Sequence, residues 1–447
     1  MAHRAGRGER QGDRQSDGQS DRQGDRQGDR QDGEPVGGRG DRQAKGHDAA
    51  GTATDLHPRK FDLLNLSLVD VNGGLRPYLN VFLLVHREWS ATTVGLVTTL
   101  AGLVGVGLQA PLGAVIDRAR DKRLAIVAAL MAASAGAVVI ALWPQFWPVL
   151  LAFTVLTAAG SSFTPTIAGL TLGIFPKARL SRRMGRNSAW YRAGNVVIAI
   201  LIALVGYGFP DRAVFFLVPA LSFAAAAAVL SIPRDIVGRE LAEGVKPKPR
   251  SGAAFKVLLD NRPLLVFAAS IFLFQLANGP MASLVAQKIS LAHENWSAAI
   301  TSTTIVAAQA VMLPMAILVG RFADGWGRKP ILLFAFAMLP VRALLYTVSD
   351  DALWLFAVQA LEGVSTGLYS AIKPLVIADL MEDKARYNLA SGVVATVQGV
   401  AIALSNVLAG SLVDASGFTA AFLVSAGIGL GAALLLTRMP EPSAQRA

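Results

Sequence analysis

From residue 61 to residue 437 the chain alternates between apolar runs of roughly 20 residues and short polar gaps. A helix of about 20 apolar residues crosses the ~30 Å hydrocarbon layer of a bilayer. Twelve such runs predict membrane helices at roughly 61–85, 93–115, 123–143, 147–172, 187–208, 212–232, 263–286, 297–319, 329–348, 352–379, 388–412 and 417–437. The one long internal gap, 233–262, carries Arg234, Arg239, Lys246, Lys248, Arg250, Lys256 and Arg262 with Pro247 and Pro249. It reads as a linker between two six-helix bundles, 58–232 and 263–437, followed by a short tail, 438–447. The pattern is absent from 1–57, where Asp-Arg-Gln-Gly units recur between Asp13 and Arg42. That low-complexity segment buries too little apolar surface to offset chain entropy and is predicted to be disordered. No apolar core follows its basic residues, so it is not read as a signal peptide. A tail that binds acidic lipid, a tail without function and a misassigned start codon are the readings open for it.

Composition agrees with the pattern: 53% of residues are hydrophobic and only 16% charged, against about a quarter in a soluble domain. The net charge of +11 would suit a nucleic-acid partner, but most Lys and Arg lie in gaps between apolar runs, so they are read as topology signals. Arg118, Arg120, Lys122 and Arg123, then Lys177 to Arg186, the linker, Arg321 to Lys329, and Lys384 with Arg386 all fall on one side. The positive-inside rule makes that side, and both termini, cytoplasmic in a multi-pass cell-membrane protein. Trp143, Phe146, Trp147 and Trp296 cluster at expected interfaces. The chain has no cysteine, which excludes disulfides, Cys-based metal sites and thiol chemistry. The five His are scattered in tail and loops, and no metal site is read. No phosphate-binding Gly-x-x-x-x-Gly-Lys loop is present, so ATP is not the expected energy source. No cofactor, nucleic acid or enzymatic constellation is read. The expected partners are the lipid bilayer and a small-molecule substrate, and the chain is expected to be a monomer.

One charged motif occurs twice in equivalent gaps. Gly113, Asp117, Arg118, Lys122 and Arg123 form the first copy; Gly320, Asp324, Gly327, Arg328 and Lys329 form the second, 207 positions on. A second witness is Arg186-Asn187 before the fifth predicted helix and Arg386-Tyr387-Asn388 before the eleventh. Both repeats stand at matching places in their halves, which implies a duplicated six-plus-six architecture.

On these residues the chain, across 60–440, resembles the major facilitator superfamily (MFS). The resemblance implies an all-α integral membrane protein of twelve transmembrane helices in two pseudo-symmetric six-helix bundles. It also implies that Asp117 and Asp324 latch one conformation on the cytoplasmic side, the alternative being loop shape and topology alone. The second copy is nearly complete, with Gly325 in place of the usual Arg; in the first, Arg120-Asp121 replaces the usual Gly-Arg. The Arg in helix 4 and the glycine-proline pattern in helix 5 that many proton-driven drug exporters of the superfamily carry are missing.

Charges at membrane depth are costly, about 2.5–3.5 kcal/mol each on the lenient insertion scale, and so mark candidate sites. On the tenth predicted helix Gln359, Glu362, Thr366, Tyr369 and Lys373 share one face and are expected to border a water-filled cavity. Glu362 is the first proton-coupling candidate; a structural hydrogen bond between helices is the rival reading. In the first helix Asp70, Asn72, Arg76 and Pro77, with two glycines, suggest irregular backbone, tolerated where it lines a cavity or is buried in protein. Asp70 is the second proton candidate and Arg76 a candidate for substrate charge or for a carboxylate partner. Gln109, Arg192, Asn195, Gln275, Asn278 and Gln309 complete the cavity candidates. Packing is the preferred reading for the small and hydroxyl residues of helices 2 and 4. For Arg192 and Arg342 the bland reading is a side chain that snorkels or lies at the periphery.

The expected function is secondary active transport by alternating access, coupled to protons and exporting a small organic or amphipathic compound. The transport alternative is proton-coupled uptake of a metabolite. The alternative from another class is a non-transporting membrane sensor on a transporter-like fold.

Overall fold

The computed structural model describes residues 61–68, 75–119, 121–174, 177–231, 259, 261–381 and 384–441. The predicted N-terminal tail, nearly all of the linker, and Asp70 and Asn72 lie outside the described residues. Helix occupies each of the twelve predicted stretches, and there is no strand among the described residues. A first segment, α1 (61–67), precedes α2 (Arg76–Val81), which runs into a π-turn at Phe82–His86. Four long helices follow: α3 (Ala91–Arg118), α4 (Lys122–Leu142), α5 (Phe146–Ile174) and α6 (Lys177–Gly208). A 3₁₀ turn at Asp211–Phe216 leads into α7 (Leu217–Leu230). The second bundle holds α8 (Arg262–Asn278), α9 (Met281–Ala292), α10 (Ser297–Trp326), α11 (Arg328–Leu345) and α12 (Ala352–Leu380). The last helical stretch, Lys384–Thr437, breaks at Gly417, whose φ of 80° is accessible to glycine at no steric cost; α13 lies before the break and α14 after it.

Three expectations are corrected. The seventh predicted helix is two, α8 and α9, because Pro280 follows Gly279 and cannot donate to the ladder. The gap expected at 173–186 is mostly helical, with α6 starting at Lys177, and α10 continues through the second motif copy to Trp326. Hydropathy marks the part of a helix that sits in lipid; the backbone hydrogen bonds that extend it into water need no apolar side chains.

Among the described residues two large hydrophobic cores form, beside a small cluster of Val81, Val85 and Ala286. One joins α1–α7 through Phe61, Tyr78, Phe82, Phe163 and Phe215; the other joins α8–α14 through Phe267, Phe274, Phe336, Tyr346 and Phe422. The outside is also apolar, with Leu151, Leu204, Phe223 and Leu353 largely exposed, as a bilayer rather than water requires. Among the described residues, seven segments are long and apolar enough to span a membrane by length and composition. The duplication extends to contacts: Arg123 at the start of α4 donates to the last carbonyl of α7, Leu230, at 3.4 Å. Lys329 at the start of α11 donates to Thr437 at the end of α14, at 2.8 Å.

The bundles meet along α3 with α13 and α6 with α10. At the end remote from the basic loops the α3–α13 approach is backbone on backbone. A Cβ on Gly410 would run into the Ala91 carbonyl, and one on Gly95 into that of Asn406. Asp414 accepts from the amides of Ala91 at 3.0 Å and Thr92 at 2.7 Å, capping α3 from the opposite bundle. Thr99 donates to Ala403 at 2.6 Å and accepts from the Val407 amide at 3.1 Å. Nearby, Asn80 donates to Ser283 at 3.2 Å, and His86, paired with Asp211, meets Ser297 at 2.8 Å. Between described residues every hydrogen bond from one bundle to the other lies at this end, except those of Arg192 at mid-helix.

Gly410→Val should therefore open this seam, at a cost of about 1–3 kcal/mol from overpacking. Because the chain has no cysteine, a single Cys placed at Thr98, buried behind the seam, reports it directly. Maleimide labelling of that Cys should rise several-fold in the Gly410→Val background; unchanged labelling would show that the seam does not depend on this contact.

Candidate functional site

Beyond the seam, described residues of the two bundles line an inner and a wider cavity. The inner one, about 320 Å³, is lined by Arg76, Gln109, Phe153, Thr157, Ser161 and Tyr191 from the first bundle and Gly399, Ile402 and Ala403 from the second. The wider one, about 700 Å³, is lined by Asn65, Asn187, Ser188, Tyr191, Arg192 and Asn195 facing Gln309, Ser370, Lys373 and Gln398. Its first-bundle lining includes Asn65 of α1 and Asn187 to Asn195 in the middle of α6, so it extends from Tyr191 toward the basic start of α6.

Local rules place these side chains. Thr154 and Thr157 return their hydroxyls to the carbonyls one turn back, at 2.7 and 2.6 Å, which removes unpaired donors from an apolar helix. Ser161 reaches across to the Gly105 carbonyl at 3.1 Å, so the small residues of α3 and α5 pack those helices together, as expected, while also lining the inner cavity. Arg192 bridges the bundles: it contacts Met312 Sδ at 3.2 Å and donates to Ser370 at 3.4 Å. It faces the wide cavity instead of snorkelling. Lys373 donates to Gln398 Oε1 at 2.9 Å, which also accepts from Tyr369 at 2.9 Å. Asn195 donates to the Tyr191 carbonyl at 3.2 Å.

The polar stripe of α12 is split. Lys373 lines the wide cavity and Tyr369 touches it through Gln398, but Gln359 and Glu362 line neither cavity and turn instead toward α11. This corrects the expectation of a single cavity-facing stripe. Glu362 lies 3.2 Å from Arg342 Nη1, and the Arg342 side chain is 0% exposed. Arg342 also donates to Asn278 Oδ1 at 2.5 Å, and Gln359 links Tyr346 to Glu362 through two short hydrogen bonds. Arg342 is thus central, not peripheral; the pairing needs α8, α11 and α12 together, which no single helix pattern reveals. Gln275 is buried and the Thr366 hydroxyl has no hydrogen-bond partner among the described residues.

In the second motif copy Gly327 adopts φ 84° and Arg328 pairs with Asp379 at 2.9 Å. Glu441, beyond α14, accepts from the Arg328 amide at 2.9 Å and the Lys329 amide at 3.3 Å, capping α11. In the first copy Asp121, the residue that departs from the motif, is the N-cap of α4 and pairs with Arg123 at 3.3 Å. The Arg123 side chain beside it holds the Asp121 carboxyl below the usual carboxylate range. The Gly113, Asp117, Arg118, Lys122, Gly320 and Asp324 side chains lie outside the described ones. Asp62 with Arg183 at 2.9 Å and Arg186 at 2.5 Å, Asp379, Gln398, Asp414 and Glu441 escaped the sequence reading. Gln398, a lone amide in an apolar run, was the one with a visible signal.

The sequence profile described as Major Facilitator Superfamily matches residues 66–287 and 272–447. Two uncharacterised MFS-type transporters of Mycobacterium tuberculosis, from strains H37Rv and CDC 1551, are each 38% identical over 401 residues, covering 88% of this chain and 96% of theirs. Among solved structures, the nucleoside transporter NupG aligns with a TM-score of 0.71 at 13% identity, over 86% of this chain and 98% of that one. A bacterial homologue of the human lysosomal transporter Spinster, in an inward-facing and unoccupied conformation, aligns with a TM-score of 0.62 at 14% identity, over 85% and 95%. At these identities the solved structures share the fold.

The Arg342–Glu362 pair carries a stability prediction. Arg342→Met strands the Glu362 carboxylate and should cost about 3–5 kcal/mol, read as a large fall in thermal unfolding temperature. Combining it with Glu362→Gln should restore most of the loss. Additive losses in the double variant would show that the two side chains are not coupled.

Proposed function

The chain belongs to the Major Facilitator Superfamily, whose members are multi-pass membrane transporters and not enzymes, and we propose that it is a proton-coupled secondary transporter exporting a small organic compound. The observation that carries the reading is the asymmetry of the bundle interface: sealed by the Asp414 cap and the close approaches of Gly95 to Asn406 and of Gly410 to Ala91 at one end, parted around the cavities toward the other. The basic loops lie at the parted end, and the positive-inside rule assigns them to the cytoplasm of the cell membrane. In this reading the chain stands in its cytoplasm-facing state. Rocking of the two bundles would break the Asp414 seam and bring the loops of Asp117 and Asp324 together as latches.

Glu362 is the proposed proton site. In the described state its carboxylate is held by Arg342 and Gln359 inside the second bundle. Taking up a proton would cancel the ion pair and release Arg342 toward Asn278 alone, so one protonation changes the packing of three helices. A pair linking α11 and α12, both of which move with the second bundle, suits a switch that senses occupancy from within one bundle. Asp70 is the second proposed proton site.

Glu362→Gln should reduce substrate flux driven by a proton gradient in proteoliposomes by ten-fold or more, while substrate exchange without a gradient persists. Driven flux at the wild-type rate would remove Glu362 as the coupling group. Accumulation in inverted vesicles acidified inside supports export; accumulation only in right-side-out vesicles would establish uptake instead.

A further inference from the structure

Among the described residues, the charges bordering the wide cavity are of one sign. Among its lining residues are Arg192 and Lys373 but no Asp or Glu, and the same holds for the inner cavity with Arg76. The contacts of these cations are neutral. Arg192 has Met312 and Ser370; Lys373 has Gln398 and the Tyr369 ring at 5.4 Å; Arg76 lies 6.0 Å from the Phe153 ring with its buried Nε unpartnered. Elsewhere the buried guanidiniums are neutralised: Arg342 by Glu362, Arg183 by Asp62, Arg328 by Asp379. Cations therefore stand without a carboxylate, among described residues, where the bundles part.

Placement adds to this. Arg192 belongs to the first bundle and Lys373 to the second, and Arg192 already reaches Ser370, one helical turn from Lys373. A group held by both would bind the bundles to each other. The buried Gln309 Oε1 and Asn187 Oδ1, also in the cavity lining, have no hydrogen-bond partner among the described residues and call for a donor. A cleft of cations with low-dielectric walls concentrates anions and repels cations. Its volume of about 700 Å³ is that of a small-molecule site.

We propose that the wide cavity binds a small organic anion, with its carboxylate or phosphate held between Arg192 and Lys373 and its hydroxyl or N–H groups meeting Gln309 and Asn187. This rests on the transport reading for the use of the cavity and adds the chemical class of the cargo.

The test uses the full-length purified protein and matched probes: salicylate against salicylamide, uridine 5′-monophosphate against uridine, and the cation tetraphenylphosphonium. Salicylate or the monophosphate should raise the melting temperature while its neutral twin does not, and the shift should shrink as KCl is raised. The probe that responds tells a carboxylate site from a phosphate site. Lys373→Gln and Arg192→Gln should each weaken Kd for that anion at least ten-fold, and Lys373→Arg should keep it within a few-fold. Equal response to the neutral twin, binding of tetraphenylphosphonium, no response to either anion, or an unchanged Kd in both Gln variants overturns the proposal. Anion binding without flux in proteoliposomes would sink the transport reading alone, whereas flux of a neutral compound would sink the anion site alone.

Discussion

Where α3 meets α13 there is no room for a side chain at residues 95 and 410, and Asp414 closes the seam with two hydrogen bonds to the first amides of α3. In lipid, apolar surface gains nothing by leaving its surroundings, so helices associate through close backbone approach and polar contacts that hydrocarbon cannot replace. Glycine supplies the first and Asp414 the second. Because these contacts crowd at one end, the bundles can diverge at the other, and the cavities with their cations follow. Amides at a helix N-terminus attract a carboxylate but hold it by only two bonds, which suits a contact that a transport cycle must break.

Buried charge is handled in two ways. Arg342, Arg183 and Arg328 are each matched with a carboxylate inside one bundle, so their pairing survives any rigid movement of one bundle against the other. Among the described residues Arg192 and Lys373 have only neutral partners, and they stand at the boundary between the bundles. Paired charges hold each bundle as a unit, since removing one partner leaves the other desolvated and unmatched. Unpaired ones keep their field available for a ligand.

The duplicated halves keep the same clasp with different parts. Arg123 and Lys329 each tie the start of one helix to the final turn of another, through Leu230 and Thr437. The helix start beside each is capped in its own way, by the adjacent Asp121 in the first half and by the distant Glu441 in the second. The departure of the first copy from the motif is thereby a local solution to the same orphaned amides.

Much of the architecture was legible in the chain itself. Apolar runs of membrane length, the 207-residue repeat and the one-sided basic loops depend only on order along the sequence, because a spanning helix must satisfy its backbone internally wherever it packs. The polar stripe of α12 was legible too, since 3.6-residue periodicity puts its members on one face. What that face meets was not. Glu362 is paired because α11 brings Arg342 to it while α8 holds Arg342 through Asn278, and Lys373 is left to the cavity because α13 offers it only the neutral Gln398. The Asp414 seam likewise joins residues far apart in order. Periodicity fixes the side of a helix on which a residue stands; only the packing of helices decides whether a charge there finds a carboxylate, a neighbouring helix end or open space.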